Sequence, residues 1–231
     1  KPSQMAKLSA SLVYYAIGVP FENTWLKKIS AVNPQMLVVH TDRDVDKISM
    51  AEHHHDGDSI HDSHVEKQHG IPDPHIWLAP GLVKKQALVL FESLKTILPE
   101  HQQQLEVNYK SFIEQIELLD DELRKVFKGR EGMQFMVFHP SWGYFADAYD
   151  LSQKPIELEG KNPKPSQLGE LIQHARENNI HVIFAQPQFS KKSAKVIARE
   201  IDGQVIVADP LAEDWFGNLR AVAKKIKTAG R

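Results

Sequence analysis

Leu105-Glu-Val-Asn-Tyr-Lys-Ser-Phe-Ile-Glu-Gln-Ile-Glu-Leu-Leu-Asp-Asp-Glu-Leu-Arg-Lys-Val-Phe-Lys128 is the stretch on which the reading of the fold turns. Leu105, Tyr109, Phe112, Ile116, Leu119, Leu123 and Val126 recur at alternating intervals of four and three residues, which lays one continuous apolar stripe along a helix. No Pro or Gly interrupts the run, so it is predicted to be a stiff rod of roughly 40 Å at about 1.5 Å per residue. Such a rod suits a spacer lying along two lobes, or a long surface helix on a single domain. The chain on either side of it bears on that choice.

Ahead of the rod, Leu12–Ile17 and Met36–Val39 are short apolar runs, closed by Gly18 and His40, that read as buried strands. Asn23–Val32 carries Trp25, Leu26 and Ile29 at helical spacing, so strand, helix and strand follow in the order that builds a parallel sheet. Behind the rod the alternation resumes. Phe135–Phe138 ends at His139, Val182–Phe184 ends near Gln186, and Val205–Val207 ends at Asp209. Helical patterns fill the intervals at Ser166–Asn178, Ser190–Ile201 and Asp214 to about Lys227, each starting at or just after a capping-type residue. The expected organisation is an α/β lobe over 1–98, a connecting helix over 99–128 and a second α/β lobe over 129–231. Ligands of open parallel sheets gather at the carboxyl ends of the strands, and His139 and Asp209 stand at two such ends.

Composition narrows the chemistry. The 231 residues suffice for two domains of roughly 100 residues each, and 42% hydrophobic with 25% charged residues is an ordinary globular balance. A formal net charge of -2 gives no basic excess, so nucleic acid or an anionic membrane surface is not the expected partner. Without cysteine there are no thiolate zinc sites, iron–sulfur clusters or disulfides, and His, Asp and Glu are the strong metal ligands that remain. The chain carries no signal-peptide pattern and no uninterrupted apolar span of about 20 residues.

Histidine is where the sequence departs from an ordinary globular chain. Between Ser49 and Gly70 hydrophobic periodicity lapses, and the segment reads as an exposed, mobile loop longer than compact domains carry without a functional reason. It holds His53, His54, His55, His61, His64 and His69, interleaved with Glu52, Asp56, Asp58, Asp62 and Glu66. These form a flexible brush of nitrogen and oxygen donors for a transition metal. Ordering flexible ligands costs entropy, so weak, multiple binding that collects or buffers such a metal is expected of it. Asp73-Pro-His-Ile-Trp-Leu78 follows at once and adds His75 as a candidate ligand. Each candidate has a plainer explanation: His75 as a hydrogen-bonded residue near Trp77, His139 as a structural histidine, and Asp209 before Pro210 as a loop-start residue. Trp142, Tyr144 and Phe145 read as packing that keeps a site dry and orients His139, and Glu22 as a helix N-terminal charge.

Four motifs now stand in order: Asp73-Pro-His-Ile-Trp-Leu78, His139-Pro-Ser-Trp-Gly-Tyr-Phe145, Gln186-Pro-Gln-Phe-Ser190, and Ala208-Asp-Pro-Leu-Ala212 with Asp214-Trp215. In order and spacing the chain resembles the metal-specific solute-binding proteins of ABC importers, zinc branch, over essentially its whole length. The resemblance implies two parallel-sheet α/β lobes joined by one long rigid helix, with a single metal in the cleft between them. It makes His75, His139 and Asp209 the zinc ligands. A fourth ligand of the family, a histidine in a Pro-His motif, does not map, since the chain starts at Lys1. The expectation is an N-terminally truncated chain lacking a strand-helix-strand unit of ~30 or more residues.

The ligand chemistry favours zinc, which accepts three imidazoles and one carboxylate in a tetrahedron. Manganese-type relatives resemble this pattern but carry a carboxylate where His139 stands, and a manganese-type receptor or a metal-binding surface adhesin of the same fold is the alternative reading. A zinc hydrolase would need an open metal position and a general base, and no His-Glu-x-x-His motif occurs. The resemblance therefore implies a receptor, not an enzyme, that captures Zn2+ in the periplasm and passes it to a membrane permease, with a monomer as the simplest state.

Overall fold

The computed structural model describes residues 2–50, 71–157, 161–189 and 192–230. The chain forms two compact units, Lys1–Lys47 with Ala79–Asp120, and Ile48–Leu78 with Asp121–Arg231. It is an α/β protein whose sheets are parallel throughout. The boundary between the units falls inside the long helix, and the segment Ile48–Leu78 groups with the second unit. Hydrogen bonds explain that grouping. The Ile48 amide donates to the Tyr144 hydroxyl at 3.2 Å, and that hydroxyl donates to the Asp73 carbonyl at 2.9 Å.

In the first unit, α1 (Pro2–Ser9) and α2 (Pro20–Val32) flank β1 (Val13–Ala16), which pairs with β2 (Leu37–His40) in the register Val13↔Leu37 to Ala16↔His40. The sequence reading made both strands buried; of the eight positions only Ala16 is buried, and the others are half-buried or exposed. Among the described residues each strand pairs on one side alone. The turn from β1 into α2 depends on Gly18, at φ 77°, a left-handed conformation that costs glycine little. Its amide donates at 2.6 Å to the carboxylate of Glu22, which also accepts from the Ile17 and Val19 amides and the Tyr14 hydroxyl, each at 3.2 Å. Glu22 is thus the N-terminal charge of α2, tying down the amides that no helical carbonyl can reach.

Helix α3 (Pro80–Ile97) lies against β2, and α4 (Gln102–Phe127) is the rod, about 39 Å long at roughly 1.5 Å per residue. Its apolar stripe is buried in one half only. Ile116, Leu119, Leu123 and Phe127 are buried, whereas Leu105 and Tyr109 are half-buried and Phe112 is 37% exposed.

The second unit is built on a sheet in the order β4-β3-β5-β6, formed by β3 (Gln134–Val137), β4 (Ser152–Pro155), β5 (Val182–Ala185) and β6 (Gln204–Val207). Central β5 is buried at all four positions, which is why it reads as an unbroken apolar run. Edge strand β4 has the sequence Ser-Gln-Lys-Pro and was invisible to a search for apolar runs. Proline is tolerated there because the strand pairs on one side only. Helices α6 (Pro165–Glu177), α7 (Lys192–Glu200) and α8 (Trp215–Ala229) follow the predicted spans closely, and Asp214 caps α8 by accepting from the Gly217 amide at 2.9 Å. Short α5 (Gly143–Ala148) was not anticipated. Met136, Ile156, Leu171, Ile183 and Ile197 centre the core.

Candidate metal centre

The three predicted ligands all lie in the second unit. His139 follows β3 by two residues, and Asp209 follows β6 by two, so both stand past carboxyl ends of strands of one parallel sheet as anticipated, with β5 between the two strands. His75 precedes a 3₁₀ turn over Ile76–Leu78 that packs against α5. The histidine-rich segment, His53 to His69, lies outside the described residues, as does Ser190.

The structure brings His75 and His139 together, with ring centroids 5.3 Å apart and planes inclined at 74°. That spacing is what a shared metal requires. With metal–nitrogen bonds of about 2.05 Å, ring radii of about 1.15 Å and a tetrahedral angle, two imidazoles on one zinc place their centroids roughly 5.2 Å apart. The centroid separation therefore admits both rings on one ion.

Nδ1 of each ring is already engaged. His75 Nδ1 is bonded to Asp73 Oδ1 at 2.6 Å, and the same oxygen accepts the His75 amide at 2.8 Å. His139 Nδ1 is bonded to Glu157 Oε1. Both carboxylates are buried, Asp73 at 1% and Glu157 at 4% exposure. Gln186 braces the His139 backbone, accepting from its amide at 3.3 Å and donating to its carbonyl at 2.8 Å. Phe189 stacks on the His139 ring at 4.9 Å.

Asp209 has local partners. Its Oδ1 accepts from the Leu211 amide at 3.0 Å and from Gln188 Nε2 at 2.9 Å, the geometry of a loop-start aspartate. Its loop is joined to that of His75 by two indoles: Trp77 Nε1 donates to the Pro210 carbonyl at 2.8 Å, and Trp215 Nε1 to the Trp77 carbonyl at 2.7 Å. Among the described residues no three His, Asp or Glu side chains gather into one metal-holding group. The structure thus unites His75 with His139 and leaves the Asp209 carboxylate in its turn.

Trp142, Tyr144 and Phe145 are buried, as expected of packing residues. Tyr144 holds the Asp73 carbonyl, on the His75 side. Glu157 was missed by sequence reasoning because β4 was missed. The β3–β4 register pairs Val137 with Pro155, so two residues further on His139 faces Glu157.

Comparison with known proteins agrees with this architecture. The family described as zinc-uptake complex component A, periplasmic (ZnuA), matches residues 1–229. A crystal structure of ZnuA superposes with a TM-score of 0.88 at 40% identity, covering 100% of this chain and 84% of that one. A zinc-bound ZnuA deletion mutant does so at 0.87 and 40% identity, covering 100% and 83%. The high-affinity zinc uptake system protein ZnuA of Bacillus subtilis is 32% identical over 141 residues, 60% of this chain and 44% of that protein. The chain spans about half the length of the curated relatives it matches.

Proposed function

This chain belongs to the zinc-uptake complex component A family, and from that premise we propose that it is a high-affinity zinc receptor. It captures Zn2+ in the periplasm and hands it to the permease of an ABC importer. The observation that carries this reading is the pair of imidazoles at 5.3 Å, each with Nδ1 tied back to a buried carboxylate. Two nitrogen donors suit zinc better than manganese, which prefers a harder, oxygen-rich set. Asp209 is the carboxylate proposed to join them, by turning from Gln188 and the Leu211 amide toward the ion. No bond is made or broken in this role, so the protein acts as a receptor and not as a catalyst. The histidines between His53 and His69 are proposed as accessory, weak zinc collectors, and a monomer as the working form.

A chelator-competed zinc titration tests the reading on this chain, with His75→Ala and His139→Ala beside it and manganese as competitor. One equivalent bound at nanomolar or tighter affinity, lost in both variants and resistant to manganese, is the expected result. Binding that ignores both substitutions overturns the site.

A further inference from the structure

We propose that Asp73 and Glu157 are positioning residues of the metal site: they hold His75 and His139 in the Nδ1–H tautomer and aim both Nε2 lone pairs at one point. This rests on the zinc-receptor reading. An ionised carboxylate can only accept hydrogen bonds, so an imidazole bonded to it through Nδ1 carries its proton there and leaves Nε2 bare. A metal needs that bare nitrogen. In water a neutral imidazole divides between two tautomers and rotates freely, and a ring already committed in both respects has less to lose on binding.

The two supports are built differently. Asp73 acts within its own motif, gripping the His75 amide and ring with the same oxygen, while Tyr144 and the Ile48 carbonyl hold the Asp73 backbone at 2.9 and 2.8 Å. Among the described residues its other oxygen, Oδ2, is buried with no hydrogen-bond partner, and the two bonds to the carboxylate both come from His75. Glu157 reaches His139 across the sheet, and its place is fixed by the β3–β4 register and by the bond from its amide to the Phe138 carbonyl at 3.0 Å. A buried carboxylate is unfavourable without a compensating charge. A cation shared by the two rings supplies that charge through the imidazoles, which makes Asp73 and Glu157 contributors to affinity as well as to geometry.

The decisive measurement needs no mutation. Ring 15N shifts of the metal-free protein, taken where the imidazoles are neutral, are expected to report Nδ1–H for both His75 and His139. A dominant Nε2–H form at either ring overturns the assignment for that ring. Asp73→Ala and Glu157→Ala, which remove the acceptor at Nδ1, are expected to weaken zinc binding about 10–100-fold each and to introduce the Nε2–H tautomer. Wild-type affinity with unchanged ring shifts in a folded variant refutes the proposal and leaves the receptor reading standing. Loss of the receptor reading would instead show as zinc binding indifferent to His139→Ala.

Discussion

Gly143→Ala sets two opposing effects against each other, and the structure decides between them. Gly143 opens α5 and does not have a positive φ. On propensity alone, alanine there should stabilise by about 0.4–1 kcal/mol. The added methyl, however, would stand 2.8 Å from Asp73 Oδ2, 3.1 Å from Gln153 Nε2 and 3.2 Å from Ile48 Cδ1. Asp73 cannot swing aside cheaply, since it is short, buried and bonded twice to His75. Overpacking of this kind costs about 1–3 kcal/mol, which leaves a net loss on the order of 1 kcal/mol. Displacing Asp73 should also loosen His75 and weaken zinc binding roughly tenfold. Gly169, inside α6 with nothing within 4 Å of an added methyl, is the control. Gly169→Ala should stabilise by about 0.5–1 kcal/mol and leave zinc binding alone. Denaturant unfolding of the metal-free proteins and chelator-competed titration measure both quantities. A Gly143→Ala protein that gains stability as Gly169→Ala does, and binds zinc normally, would refute the reasoning that Asp73 is held rigidly against His75.

Other outcomes follow from the same structure. Glu22→Gln should cost about 1–3 kcal/mol in unfolding measurements, because a buried carboxylate accepting three amides loses its charge-assisted bonds. Burial, aided by the neighbouring Glu22 charge, raises the Tyr14 phenol above its ordinary value. Its folded pKa therefore exceeds its unfolded one, so the stability it contributes is complete below the unfolded value and is lost as pH rises through the folded one. Tyr14→Phe should flatten that alkaline decline, and a stability profile unchanged by the substitution would contradict the shift. Leu123→Ala, at a fully buried position of α4, should cost about 2–5 kcal/mol. Leu118→Ala, five residues earlier and 62% exposed, should stay within about 0.5 kcal/mol; equal losses would mean that the helix buries a different face. Deleting residues 53–69 should abolish weak additional zinc equivalents while sparing the tight one, as read by calorimetry.

What could be read from the chain alone was whatever leaves a periodic or compositional trace. The long helix showed itself because its apolar residues keep a helical period for over twenty positions, and β3, β5 and β6 because their apolar runs stand out between capped helices. His75, His139 and Asp209 could be proposed because ligating residue types stand past strand ends in ordered motifs. Tertiary structure decided the rest. It decided that β1 and β2 stay half-covered, since a strand's burial depends on what packs against it and not on its own residues. It decided that polar Ser152–Pro155 is a strand, since an edge needs only a partner's backbone. The partners of the two imidazoles belong here too. Asp73 grips His75 from two residues away, but only burial made it strong, and Glu157 meets His139 only because parallel pairing sets residues eighteen apart side by side. Periodicity records which residues seek the core; which polar groups meet there is set by register, which no single segment contains.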